Sequence, residues 1–403
     1  MRRLILALVI LVAVTSSCRG QAPAPPAGDG FARMVDSLAP IVARAAGLEF
    51  RQPPRAALRS RDEVRRYLLA KVEHELPPER LEGMSATYRL LGLLPDTLDL
   101  RQLLVDLLAE QVVGYYDPDS AMLFGVAGAQ QTELQLVVAH ELTHALQDQY
   151  VPLDSILEME DESDRQTAAQ AVIEGQAMIV SLQVFVPDPA MILAPGFWET
   201  ARGQVRAMQG GTPIFRNAPL VLRESLLFPY LDGAEFVIWW ERSALKDSTP
   251  YGRRMPTSTE QVLHPDRYQR GDAPLTVRFT GAAAEVLQED TMGEMELRIL
   301  DGHLAGRDQR NESAVPYGWA GDRYRTLTTP EGPVLVWYVV WDQPRDRDRW
   351  LNAGGTQLAG QHRPGYRHSV DPVEVDGRAA TRVIIAPEGW AGWSSPPTVR
   401  LIR

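Results

Sequence analysis

Two imidazoles and a carboxylate interrupt an otherwise apolar run at residues 137–146, VVAHELTHAL, and any fold of the chain has to accommodate all three at once. Val137, Val138, Leu142, Ala145 and Leu146 recur at helical spacing, so the run reads as a helix packed into a core. Thr132 with Gln135 three residues later fits a capping box at its start. Burying His140, Glu141 and His144 there is strongly unfavourable unless they share a partner.

A metal ion is such a partner. Residues four apart lie on one helical face, so His140 and His144 present their rings to a common point, as two ligands of one tetrahedral zinc would. Glu141 flanks that face. It can reach a water on the metal without being a ligand, the arrangement of H-E-x-x-H metalloproteases. Such a site hydrolyses peptide bonds by attack of zinc-bound water, with Glu141 as general base.

A catalytic zinc takes a third protein ligand. Glu174 is the only charged residue from Gln166 to Phe185, a second long helical pattern, and a free carboxylate there would be severely desolvated. Zinc coordination resolves that; a neutralised or hydrogen-bonded core glutamate is the alternative. Gly175 beside it lets another backbone come close. The acidic run Glu158, Glu160, Asp161, Glu162 and Asp164 follows no single helical face and reads as a solvated loop, or at best a calcium site. Asp148 continues the series 140, 144, 148 and reads either as a hydrogen-bonding orienter of a ligand histidine or as a solvated residue at the helix end.

The string His140-Glu141-Leu142-Thr143-His144-Ala145 resembles the active-site helix of thermolysin, and the downstream Glu174 makes the site similar to the gluzincins. GYYDP, HELTHALQDQ, AVIEGQA, PTSTEQVLHPDRY and GWAGDRY, spread over residues 100–350, resemble a family of exported bacterial proteins classed as zinc metallopeptidases. The resemblance implies a zincin-like core with His140, His144 and Glu174 as zinc ligands and Glu141 as base. It also implies that the segment around Tyr115 and Tyr116 offers an edge strand to an extended peptide or protein substrate. A donor to the developing oxyanion is expected too. His264 and Tyr268 are the candidates, with loop or core residues beside Pro265 the bland reading.

The rest of the chain is read around this centre. Residues 31–111 show three helical patterns separated by Pro-containing breaks, and VVGYYDPDSAMLFGV reads as a β-hairpin turning at Asp117-Pro118-Asp119-Ser120. Residues 225–243 read as a further helix. Beyond about residue 275 come β-prone apolar runs and six of the nine tryptophans, of which Trp319, Trp337 and Trp341 read as core. The expected fold class is α+β: a mainly helical zincin-like domain over 31–275 with a small hairpin or edge sheet, then an α+β portion over 276–403.

Arg2 and Arg3 precede an apolar run from Leu4 to Val14, too short to span a bilayer, so residues 1–18 read as a secretory signal. The small residues before Cys18 resemble the bacterial lipoprotein processing box, in which the cysteine carries the lipid that anchors the protein to a membrane. Thr15, where that box usually has leucine, leaves ordinary cleavage open. Residues 19–30, rich in Pro, Ala and Gly, read as a flexible linker. With one cysteine in 403 residues, no intramolecular disulfide can form. A net charge of −11 and the lack of a basic run argue against nucleic acid as a partner. The leading expectation is an exported, membrane-anchored zinc peptidase. Two other readings stand beside it: a zinc-fold binding or assembly protein without turnover, and a zinc amidase acting on cell-wall amides.

Overall fold

The computed structural model describes residues 28–402 apart from 154–161, 187 and 282–284. The expected signal, Cys18 and most of the expected linker lie outside the described residues. Residues 28–30, expected as linker, instead open the first helix, α1 (Gly28–Ala46). Phe31, Val35, Leu38 and Val42, spaced three or four apart, bury its inner face.

Three more helices follow, α2 (Arg61–Glu75), α3 (Pro78–Leu90) and α4 (Leu100–Gln111). Between α1 and α2 lies a strand that the helical reading of residues 31–111 did not anticipate, β1 (Arg55–Arg59). Pro53 and Pro54 break the chain just before it, and its partner strand lies 67 positions further on. The expected hairpin is present as β2 (Gly114–Asp117) and β3 (Met122–Val126), antiparallel, with β1 running parallel to β3 on the other side. The order β1-β3-β2 makes β2 an edge strand.

Next comes α5 (Gln131–Asp148), packed on β2 and β3. It begins one residue before Thr132, and no side chain caps it. The expected Thr132–Gln135 box therefore does not form. The long helix α6 (Ser163–Phe185) packs against α5 and also against α9 (Leu220–Arg242), which follows the shorter α7 (Phe197–Gln209) and α8 (Pro213–Asn217). By length and composition α6 could cross a membrane, but 78% of its most apolar window is buried inside the protein, as in a core helix.

Two short helices, α10 (Thr259–Leu263) and α11 (Pro265–Arg270), lead into the strand-rich remainder. Strand β4 (Thr276–Phe279) pairs with β10 (Val399–Ile402), while β5 (Val286–Asp290), β6 (Trp319–Leu327), β7 (Val334–Trp341), β8 (Tyr366–Val375) and β9 (Arg378–Pro387) form an antiparallel sheet in the order β5-β6-β7-β9-β8. Helix α12 (Gly293–Leu304) follows β5. The fold is thus α+β. Strand β7, VLVWYVVW, is apolar throughout because both of its faces are covered. Leu335, Trp337, Val339 and Trp341 join the main hydrophobic cluster, whereas Val334, Val336, Tyr338 and Val340 join a smaller one on the opposite face. The main cluster is continuous from α2 through α6 and α9 to this sheet.

Candidate metal centre

Helix α5 brings His140 and His144 together as their spacing requires, the rings edge to face with centroids 4.7 Å apart. Their Nε2 atoms are 3.1 Å from each other. Glu174 of α6 completes a triangle, its Oε2 lying 3.1 Å from His140 Nε2 and 3.3 Å from His144 Nε2. Among the described residues these three are the set of His, Cys, Asp and Glu side chains gathered closely enough to hold a metal ion.

The set fits a metal on its own chemistry. Ligands held at roughly 2.0–2.1 Å around a tetrahedral zinc sit about 3.3 Å from one another, close to the spacings found. Glu174 Oε1 is buried without a hydrogen-bond partner, and so is Glu141 Oε1. Buried polar atoms of this kind call for an explanation, and an ion with its water supplies one. The two imidazoles and one carboxylate are also the nitrogen and oxygen donors that zinc accepts.

The electrostatics are those of a tightly coupled buried set. Burial pulls the His140 pKa down. Burial also lowers His144, but the Glu174 and Glu141 carboxylates and the Gln147 amide outweigh it and push His144 up to about 9. Burial would raise Glu174, yet the two imidazoles hold it down at about 2. For Glu141 burial prevails over the pull of His144, and its carboxyl is pushed up to about 8.

Glycine fixes how closely the helices cross. A Cβ on Gly175 would lie 2.1 Å from the backbone carbon of Gly233 on α9, and one on Gly233 would lie 1.9 Å from the Ala171 carbonyl oxygen. The close approach expected at Gly175 is therefore real, and its partner is α9. The same crossing seats Tyr230, one turn before Gly233, with its ring centroid 6.0 Å from that of His140.

Glu141 is fully buried, and the backbone N–H of Tyr116 donates to its Oε2 at 2.6 Å. That N–H belongs to the edge strand β2 and points at α5 instead of at β3. The Tyr115 ring is stacked on Tyr67 with centroids 4.4 Å apart, and Arg59 donates to its hydroxyl. It is a core aromatic.

Asp148 does not orient a histidine. Its oxygens accept from the Tyr116 hydroxyl at 2.9 Å and from the Leu153 N–H at 3.0 Å, because this side of α5 faces β2 and the chain that follows the helix. The preceding residue does the orienting: Gln147 Oε1 lies 2.8 Å from His144 Nδ1. The signal for it was a glutamine three residues after His144 on the buried face.

His264 and Tyr268 are engaged elsewhere. His264 Nε2 is 2.9 Å from Glu294 Oε1, and its ring meets Tyr317 edge to face. Tyr268 donates to the Arg254 carbonyl and packs against Phe236, Trp239 and Trp240. Neither contacts the triangle. Tyr230, which stands beside it, carries no spacing cue and becomes visible only through the α6–α9 crossing. Asp164 also departs from the solvated reading: it is 4% exposed and accepts from both the N–H and the hydroxyl of Thr259. The acidic residues 158, 160 and 161 lie outside the described residues. Trp319, Trp337 and Trp341 are buried, as expected of core.

A family model described as a domain of unknown function (DUF8575) matches residues 279–389, which hold β5 to β9 but none of the triangle. No curated protein sequence matches the chain. Among solved structures, a candidate hydrolase with a novel fold from Chloroflexus aurantiacus is similar at 19% identity, over 60% of this chain and 89% of that one, with a TM-score of 0.34.

Proposed function

We propose that the chain is a zinc-dependent peptidase of gluzincin type with His140, His144 and Glu174 as ligands and Glu141 as general base. The observation that carries this reading is the buried triangle of three donor atoms with the Glu141 carboxylate on the next residue of the same helix. When bound, zinc supplies positive charge that makes water acidic and polarises a peptide carbonyl. Tyr116 N–H holds one oxygen of Glu141 and leaves the other, Oε1, to take a proton and return it to the departing amine. Strand β2 is the sheet edge beside Glu141, but its Tyr116 N–H is already bonded to that carboxylate and all four of its residues are buried, so the edge-strand seat expected for a peptide at Tyr115 and Tyr116 is taken by the protein itself. Tyr230 takes the role of donor to the oxyanion, in place of His264 and Tyr268.

One observation favours a second reading, a zinc-holding binding or assembly protein without turnover: none of His140, Glu141, His144 and Glu174 is more than 3% exposed. Metal analysis of the purified protein with a peptide-library digest separates the two. Under the peptidase reading, wild type and Glu141→Gln each hold about one zinc per chain, while the variant's turnover falls about 10²–10⁴-fold. Zinc in both proteins with no cleavage by either moves the second reading ahead. Glu174→Ala that keeps full zinc affinity would remove Glu174 from the ligand set.

We further propose that the protein is exported and held in the cell envelope by a lipid on Cys18. The support is Arg2, Arg3, the apolar run Leu4–Val14 and the small residues before Cys18. Cys18→Ser would then move the protein from the membrane to the soluble fraction.

A further inference from the structure

The ring of His144 is held from behind by a chain of amides. Gln147 turns its oxygen toward His144 Nδ1, and its nitrogen donates to the Ile173 carbonyl at 3.0 Å and to Gln176 Oε1 at 2.9 Å. A carbonyl oxygen can only accept, so the NH₂ end of Gln147 has to face Ile173 and its oxygen has to face His144. His144 therefore carries a proton on Nδ1. In the neutral ring its Nε2, the atom that meets His140 and Glu174, then keeps the lone pair a metal needs.

The chain does not stop at α6. Gln176 Oε1 also accepts from the hydroxyl of Tyr251. Tyr251 belongs to the sixteen-residue connection between α9 and α10, residues 243–258, which is otherwise largely a surface loop. Its ring is buried at 7% exposure, whereas Gly252, Arg253 and Arg254 directly after it are exposed. Other contacts also hold the connection, among them Trp240 Nε1 on the Ser248 carbonyl, Tyr268 on the Arg254 carbonyl, and the packing of Leu245 and Met255 on the main cluster, but Tyr251 is the residue that ties it to the hydrogen bonds behind His144.

We propose that Tyr251 is a positioning residue of the metal centre: through Gln176 and Gln147 it fixes the His144 ring, so that docking of the 243–258 connection governs how tightly the ion is held. This deepens the proposed function and rests on His140, His144 and Glu174 being metal ligands. Tyr251 touches none of the reacting atoms. Its effect is on metal retention, and on turnover only through it.

The test uses the full chain, with zinc affinity measured by chelator competition and ligand geometry by the visible absorption of the cobalt-substituted protein. Tyr251→Phe and Gln176→Leu are each expected to weaken zinc binding about 10–100-fold and to alter the cobalt bands, as loss of an orienting partner does. Because both cut one chain, the double variant should be weaker than the more affected single by much less than the product of the two effects. Arg253→Gln, on the exposed part of the connection, should bind as wild type does. Melting of the zinc-stripped proteins checks folding, and a purely structural Tyr251 would lower that melting point without moving the cobalt bands. Tyr251→Phe and Gln176→Leu that both fold and hold zinc like wild type overturn the inference and leave the metal reading standing. A wild-type protein that binds no zinc overturns both.

Discussion

At His144 a proton and a bound metal would compete for the same ring. Burial alone would keep its ring neutral, but Glu174 and Glu141 hold the pKa of the metal-free protein near 9, so at neutral pH the ring is charged. A metal accepts only the neutral form, and loading therefore expels a proton. Calorimetry in buffers of different ionisation enthalpy is expected to show about one proton released per zinc at pH 7. Apparent affinity should rise about tenfold per pH unit from pH 7 toward 9. Affinity independent of pH over that range would contradict the charged His144. At this scale much could be read from the residues alone: His140, Glu141, His144 and Glu174 stand out because ionisable groups in apolar helices need a partner. Asp148 and Asp164 misled because their partners, the Tyr116 hydroxyl and Thr259, lie 32 and 95 positions away and leave no local trace.

Among the elements, the crossing of α6 over α9 decides the geometry of the centre. Gly175 follows Glu174, and Gly233 follows Tyr230 by one turn, so one contact sets both side chains relative to His140. Gly175→Ala places a methyl 2.1 Å from the Gly233 carbon, and the helices must part. Overpacking of this kind costs roughly 1–3 kcal/mol or more. The variant should melt several degrees lower and bind zinc more weakly; a melting curve and zinc affinity both like wild type would mean the crossing is looser than described. The long helices and the β2–β3 hairpin were legible because their periodicity and turn residues are strong. Strand β1 was not: five residues between two proline breaks and α2 carry little pattern, and its pairing with β3 is a long-range choice.

For the molecule as a whole, buried carboxylates set the response to pH. Burial pushes Asp164 and Glu296 up to about 8 and Asp301 up to about 7. A folded pKa above the ordinary value of about 4 contributes stability that is complete below pH 4 and is lost as pH rises through 7–8. Opposing burial, the imidazoles beside Glu174 and the guanidinium groups of Arg310 and Arg202 beside Asp232 hold both carboxyls near 2, and that contribution disappears as pH falls from 4 toward 2. Stability should peak on the mildly acidic side, with a urea midpoint higher at pH 5.5 than at pH 8.5; a midpoint that rises with pH would refute this account. Asp290 and Thr259 also grip the start of α6, through Ser163 and Asp164. A growing chain finishes α6 long before it makes that grip, since 127 positions separate Ser163 from Asp290. Nearly three-quarters of the polypeptide must emerge before the first turn of the helix that carries Glu174 is anchored. A product that ends before Asp290 accordingly keeps His140, His144 and Glu174 in its sequence but lacks the contacts that fix the start of α6.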